Sequence, residues 1–229
     1  IINYEILRVM LENATEEQIK MYGKIDSDRM KKMDAYIGIR ATSNTSELNS
    51  IPKEKMDLYN KYYTLPVHFE ERVKNTKWCI LRYPNNSMAQ MSKMNKDEFE
   101  DFFFNVCNLD YNKMSKSMDS LKYLMDKTDK VHILGNGTDL TFSIKGITAE
   151  KYTGTFNKPD GEVASDPDKE SVNWVISYNT ETTYNGITFN NIKFEFKNGK
   201  IIKATSNKTK ELNEILDIDE GARYIGEFA

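Results

Sequence analysis

Two glutamates that directly follow glycines are the residues of this 229-residue sequence best placed to do chemistry. Glu162 comes after Asp160-Gly161 in a segment predicted to be a loop, where the glycine allows a tight backbone that projects the carboxylate into a cleft. Glu227 follows Gly226 in an apolar run, and burying a carboxylate there is costly without a partner or a metal ion. Spacing alone still leaves an exposed turn acid as the more frequent explanation of Glu162.

The other acids and histidines that compete for a role have structural explanations. Asp219 and Glu220 follow a predicted helix and are typical of a polar linker. Asp160 is expected to orient the loop in which it lies. His68 falls on a predicted helix and His132 on a predicted strand, and neither has a second His or Cys at the spacing of a metal site. We therefore expect all five side chains to be structural.

Other catalytic classes find no support in the sequence. It has no Gly-x-Ser-x-Gly elbow and no Cys with a plausible His partner. Gly135-Asn-Gly137 lacks the third glycine and the following helix of a dinucleotide fingerprint. Asn136-Gly137 and Asn198-Gly199 predict hairpin turns instead, because both central residues of a type I′ turn need positive φ.

The composition of the sequence bears on which partners the protein binds and on the cellular compartment in which it works. The 32 Lys and Arg nearly balance the 35 Asp and Glu, so there is no basic surface for nucleic acid. No apolar run reaches the roughly 18 residues of a membrane span, and no secretory signal opens the chain. Cys79 and Cys107 lie in apolar contexts typical of reduced thiols. These features predict a cytoplasmic protein without nucleic-acid or membrane partners.

Helical and strand patterns alternate in the first half of the chain. An amphipathic helix around Leu7–Ala14 is expected to be interrupted at Thr15 and again at Gly23. Ala35–Ala41 predicts a buried strand, Pro52 opens a helical stretch, and Trp78–Arg82 predicts a second strand. Two strands joined by a long helical crossover indicate a parallel βαβ unit.

The period of the hydrophobic pattern changes from 3.6 to 2 near Asp129. Before it, two helices are predicted between Lys96 and Lys127, with a break and cap at Asn108–Asp110 and apolar stripes that serve the core. After it come strands and one late helix. The segments are 131–134, 140–147, 172–178 and 192–196 for the strands and 208–217 for the helix. The predicted fold class is α/β, with a parallel domain at 1–126 and a mostly antiparallel α+β portion at 127–229.

From about Thr76 onward, a series of segments resembles the thermophilic-type metallo-aminopeptidases, a family that includes aminopeptidases T and S and their leucyl-aminopeptidase relatives. The match is one of order and spacing across many short motifs. They are Trp78–Arg82, Ser87–Gln90, Phe99–Cys107, Gly135–Gly146, Pro159-Asp-Gly-Glu-Val163, Glu214–Asp217 and Asp219–Glu227.

This resemblance implies that Glu162 and Glu227 are metal ligands and that the whole protein holds two divalent ions, Zn²⁺, Co²⁺ or Mn²⁺. It also implies that further His and Asp ligands lie beyond Ala229. Because the chain opens on Ile1 and not on Met, we expect it to be a fragment that lacks both ends, binds metal weakly and is inactive. Relatives continue the PDGEV motif with a small neutral residue where this chain has Asp166.

The function implied is that of a cytoplasmic, homodimeric aminopeptidase that releases N-terminal residues from peptides through a water activated by two metals. The alternative is a non-catalytic module for substrate gating or dimerisation, with no metal bound. Downstream sequence bearing His and Asp would favour the enzyme, whereas a natural stop codon after Ala229 would favour the module.

Overall fold

The computed structural model describes residues 3–184 and 187–229. Their contacts form two compact units. Unit 1 contains the described residues up to Leu109 together with Gly154–Asp160, and unit 2 contains Asp110–Thr153 and the described residues from Gly161 to Ala229. The chain therefore divides at residue 110 by contact, and the predicted domain boundary of the whole protein at residue 126 stays a prediction. No helix among the described residues is long and apolar enough to cross a membrane.

Unit 1 opens with two helices, α1 (Tyr4–Asn13) and α2 (Glu16–Met30). The predicted interruption at Thr15 is confirmed, because Thr15 caps α2. Its hydroxyl accepts a hydrogen bond from the Gln18 amide while the Gln18 side chain accepts one from the Thr15 amide. The predicted interruption at Gly23 is wrong, since this residue lies inside α2. A Cβ there would lie 1.8 Å from the carbonyl oxygen of Tyr62, so the glycine is required for close packing between helices.

The predicted βαβ unit is confirmed. Strands β1 (Ala35–Arg40) and β2 (Lys77–Arg82) pair in parallel, and one long helix connects them. That helix comprises α3 (Lys53–Tyr59), a π-helical stretch (Asn60–Arg72) and a last turn, α4 (Val73–Asn75). The prediction that β1 is buried is wrong, because Ile37 and Ile39 are 72% and 63% exposed. On the face that carries Tyr36 and Trp78, the Arg72 guanidinium lies over both rings.

The remaining elements fit the predicted change of period. Asp110 caps α7 by accepting a hydrogen bond from the Lys113 amide, at the predicted break between the two helices. The later elements are α5 (Asn86–Met91), α6 (Lys96–Cys107), α7 (Tyr111–Asp126), β3 (Lys130–Gly135), β4 (Thr138–Ser143), β5 (Glu150–Tyr152), β6 (Asn157–Lys158), β7 (Glu162–Ala164), β8 (Asn173–Ser177), β9 (Thr182–Tyr184), β10 (Ile187–Phe189), β11 (Lys193–Lys197), β12 (Lys200–Thr205) and α8 (Thr209–Leu216).

Sheet pairing differs between the two units. In unit 1, β6 pairs in parallel with β2 and extends the small sheet to the order β1-β2-β6. In unit 2, an antiparallel sheet has the order β12-β11-β8-β4-β3, and β5 pairs with β7 separately. The core of unit 2 lies under this sheet, with Leu140, Phe142 and Phe196 among its buried side chains. The predicted fold class, parallel α/β followed by a mostly antiparallel portion, is confirmed.

Candidate metal centre

Glu162 is the first residue of β7, so the predicted loop is in fact the start of a strand. It lies directly opposite Tyr152 of β5 in an antiparallel pair, and its side chain is exposed. Gly161, directly before β7, has a φ of +140°, which favours glycine. A Cβ added there would lie 3.1 Å from the Met114 sulfur. A larger residue at 161 would strain the backbone at this positive φ, and the end of the Met114 side chain would have to shift.

Glu227 lies next to Phe228, which forms an antiparallel bridge with Ser165, the residue that follows β7. The Phe228 amide donates to the Ser165 carbonyl and the Ser165 amide donates to the Phe228 carbonyl, both at 2.8 Å. The Phe228 ring packs edge-on against Phe142, with ring centroids 5.0 Å apart. Alternation sends Phe228 to the core and leaves the Glu227 side chain exposed.

Strand geometry places the acids of this region on one face. Directly opposite residues of an antiparallel pair share a face, and successive residues alternate between faces. The pairs Glu150–Ala164, Tyr152–Glu162 and Ser165–Phe228 fix the register. It follows that four carboxylates share one face with Tyr152, and we call this set the acid face. Its members are Glu150, Glu162, Asp166 and Glu227.

The opposite face is packed and anchors the strands. Val163 is buried in the core of unit 2. The Lys151 ammonium reaches α7, where it donates to the Ser115 carbonyl at 2.9 Å and pairs with Asp119. This packing anchors β5 and β7 on the face opposite the acid face. Lys151, which lies between Glu150 and Tyr152 in sequence, therefore points away from the acid face.

The acid face carries concentrated and unneutralised negative charge. Among residues 3–184 and 187–229, none of its four carboxylates has an ion-pair partner within 4.0 Å. Burial first, and then the charges of Glu150, Glu227, Glu162 and Asp166, raise the pKa of the Tyr152 phenol. All four acids therefore act on one shared neighbour.

Carboxylate oxygens suit divalent metal ions, but this part of the chain does not complete a site. A tetrahedral zinc site needs four ligands. Within the described residues, no group of three or more His, Cys, Asp or Glu side chains is arranged to hold a metal ion. The assignment of Glu162 and Glu227 as metal ligands therefore stays a prediction.

Asp160 and Asp219 have local roles in turns. Asp160 accepts a hydrogen bond from the Gly154 amide at 2.7 Å. Asp219 accepts hydrogen bonds from the amides of Gly221 at 2.7 Å and Ala222 at 2.8 Å. Both sets of bonds shape the backbone, as the structural explanation of these acids requires.

The two histidines each contact a charged side chain of their own unit. His68 accepts a hydrogen bond from Arg72 Nε at 3.3 Å, and burial, followed by the charges of Arg72 and Arg40, lowers its pKa. His132 Nε2 lies 2.8 Å from Asp139 Oδ1 across the β3–β4 hairpin. Cys79 and Cys107 are both free thiols.

Nothing in the sequence selects Glu150 or Tyr152 as part of this face. Each belongs to a three-residue strand whose partner is ten or more residues away, so their position depends on register and not on any local pattern. Their spacing of two residues indicates that Glu150 and Tyr152 share a face if the segment is a strand, but it does not indicate which other residues lie on that face.

Comparison with known proteins shows the family of this chain. A family profile described as "Thermophilic metalloprotease (M29)" matches residues 2–229. The chain therefore belongs to this metalloprotease family, which confirms the resemblance found in its motifs.

Individual relatives are aminopeptidases by name. Aminopeptidase AmpS of Bacillus subtilis (strain 168) is 23% identical over 244 residues, which cover 94% of this chain and 59% of that protein. Aminopeptidase PepS of Streptococcus thermophilus is 21% identical, with 93% and 59% covered. The chain thus spans about 59% of the length of these curated relatives. Among solved structures, wild-type AmpT from Thermus thermophilus has the same fold, with a TM-score of 0.80 at 21% identity, over 98% of this chain and 63% of that one.

Proposed function

We propose that the protein to which this chain belongs is a metal-dependent aminopeptidase that releases N-terminal residues from peptides. Family membership supports the reaction class. The observation that carries the proposal is the placement of Glu162 and Glu227 on one exposed face, without an ion-pair partner among the described residues. Four carboxylates left unneutralised on one surface favour the binding of cations.

In this proposal Glu162 and Glu227 each hold a divalent ion, Zn²⁺, Co²⁺ or Mn²⁺. Such ions polarise a scissile carbonyl and lower the pKa of a bound water when they are present. The chain's own contribution is rigidity, because Gly161 and the Lys151 contacts with α7 fix the strands that carry the ligands. Residues 1–229 alone supply too few ligands for such a site, so we propose that they bind metal weakly and lack activity.

The proposed aminopeptidase function also suggests a substrate class, an oligomeric state and a cellular location. We propose peptides with a free α-amino group as substrates, a homodimer as the assembly and the cytoplasm as the location. Family membership supports peptide substrates, and the two free thiols support the location. The homodimer is what the family resemblance implies.

Hydrolysis of a chromogenic leucine anilide by the whole protein is the first test. We expect prolonged dialysis against a chelator to abolish the hydrolysis and Co²⁺ or Zn²⁺ to restore it, because the reaction needs a metal-activated water. Activity is followed by release of the coloured aniline, and metal content by elemental analysis.

A sample dialysed without chelator controls for losses caused by dialysis itself. Full activity in the metal-free protein, with elemental analysis confirming the absence of metal, would contradict the proposed function.

A further inference from the structure

His68 and Arg72 form a polar contact within unit 1, on the long helix that connects β1 with β2. Arg72 Nε donates a hydrogen bond to His68 Nδ1 at 3.3 Å. Arg72 is only 6% exposed, and its guanidinium carbon lies 5.4 Å from the ring centre of Tyr36 in β1 and 4.6 Å from that of Trp78 in β2. Through Arg72, the contact therefore joins the connecting helix to both parallel strands.

This contact requires a neutral imidazole. An arginine side chain can only donate hydrogen bonds, so His68 Nδ1 has to accept. A proton added to Nδ1 would turn it into a donor and would place an imidazolium against a guanidinium. Protonation of His68 and its contact with Arg72 are therefore mutually exclusive.

The groups around His68 favour its neutral form. Charged and titratable groups that face it are Tyr36 and Arg40 of β1, Tyr63 and Arg72 of the connecting helix, and Asp26 of α2. Burial first, and then the charges of Arg72 and Arg40, lower the pKa of His68, and Asp26 opposes them with the smallest effect. Asp26 already accepts a hydrogen bond from the Tyr63 hydroxyl at 2.8 Å and pairs with Arg29 at 3.1 Å.

We propose that the His68–Arg72 contact is an acid-sensitive device that holds the connecting helix against β1 and β2 at neutral pH and releases it as the pH falls. Protonation of His68 removes the acceptor of Arg72 Nε. Among the described residues, Arg72 Nη1 is already enclosed and without a hydrogen-bond partner. A buried guanidinium that loses a further hydrogen bond is costly, so it leaves Tyr36 and Trp78 for water and the helix loosens. Neither metal nor substrate takes part.

The loss of stability falls on the acid side of neutrality. In the unfolded chain His68 has the ordinary histidine pKa of about 6.5, and folding lowers it. Below about pH 6.5 the unfolded state therefore binds more protons than the folded state. The stability contributed by neutral His68 is complete above that pH and is lost as the pH falls through the lower pKa of the folded state.

Hydrogen exchange of the whole protein, read by mass spectrometry at pH 7.5 and pH 5.0, is the test. The protection factor corrects each amide for the pH dependence of its intrinsic exchange and reports local opening. In the wild type we expect the protection of Asn60–Arg72 to fall about tenfold from pH 7.5 to pH 5.0, the effect of losing one hydrogen bond to a charged group. In His68→Gln this acid-dependent fall should disappear, because glutamine offers an amide oxygen to Arg72 and takes up no proton.

His132→Gln is the matched control, because it makes the same substitution in unit 2, where His132 Nε2 lies 2.8 Å from Asp139. We expect it to leave the acid-dependent fall in Asn60–Arg72 unchanged. An equal fall in wild type and His68→Gln would overturn the inference. Wild-type protection that is the same at the two pH values would also overturn it, and that measurement needs no variant to fold.

Discussion

Glu162→Gln and Glu227→Gln in the whole protein should each reduce both metal content and peptide hydrolysis, with kcat/KM falling more than about 100-fold. An amide is a neutral and poorer ligand than a carboxylate. Replacement of residues that merely support a ligand typically costs 10–100-fold, so loss of a ligand should cost at least as much. Elemental analysis and leucine anilide hydrolysis are the measurements.

Asp219→Asn is the control for these variants. It makes the same change of carboxylate to amide in a turn, where Asp219 accepts hydrogen bonds from the amides of Gly221 and Ala222. We expect it to retain metal and activity nearly intact. Two metal ions per chain in Glu162→Gln would assign the ligand role to another residue.

Gly199→Ala should lower the free energy of unfolding by about 3–5 kcal/mol, more than the about 1–2 kcal/mol expected from left-handed backbone alone. Gly199 has φ +83°, and an added Cβ would lie 1.7 Å from the Lys169 carbonyl oxygen. The β11–β12 hairpin therefore has to move away from that backbone to accommodate a methyl group. Urea titration of the wild type and the variant measures the loss.

Gly146→Ala separates the two causes of this loss. Gly146 has a similar φ of +73°, but nothing lies within 4 Å of an added Cβ. It should show the backbone cost without the steric clash. Equal losses in the two variants would contradict the close approach at Gly199.

The predictable parts of the fold are those with a local cause. The Asn198-Gly199 turn has φ +48° and +83° at its two residues, as its residue types require. The Asp110 cap and the parallel βαβ unit also follow from patterns within single segments. Asn136-Gly137 is a partial exception, because positive φ is found at Gly137 but not at Asn136.

The parts that the sequence misses depend on contacts between distant segments. The close approach of the Tyr62 carbonyl explains why a glycine lies inside α2 at residue 23, and no pattern near residue 23 reveals that contact. The acid face depends on the register of β5 with β7 and on the Ser165–Phe228 bridge, and strands of three residues carry little periodic signal. Family motifs predict that Glu162 and Glu227 are ligands, whereas the strand register indicates that they share a face.

Anomalous diffraction at the zinc edge from crystals of the whole, zinc-loaded protein tests the central claim most directly. The account predicts two zinc ions per chain, with carboxylate oxygens of Glu162 and Glu227 among their ligands at about 2.0–2.2 Å. Well-ordered zinc ions that contact neither glutamate, with the acid face left free of metal, would contradict it.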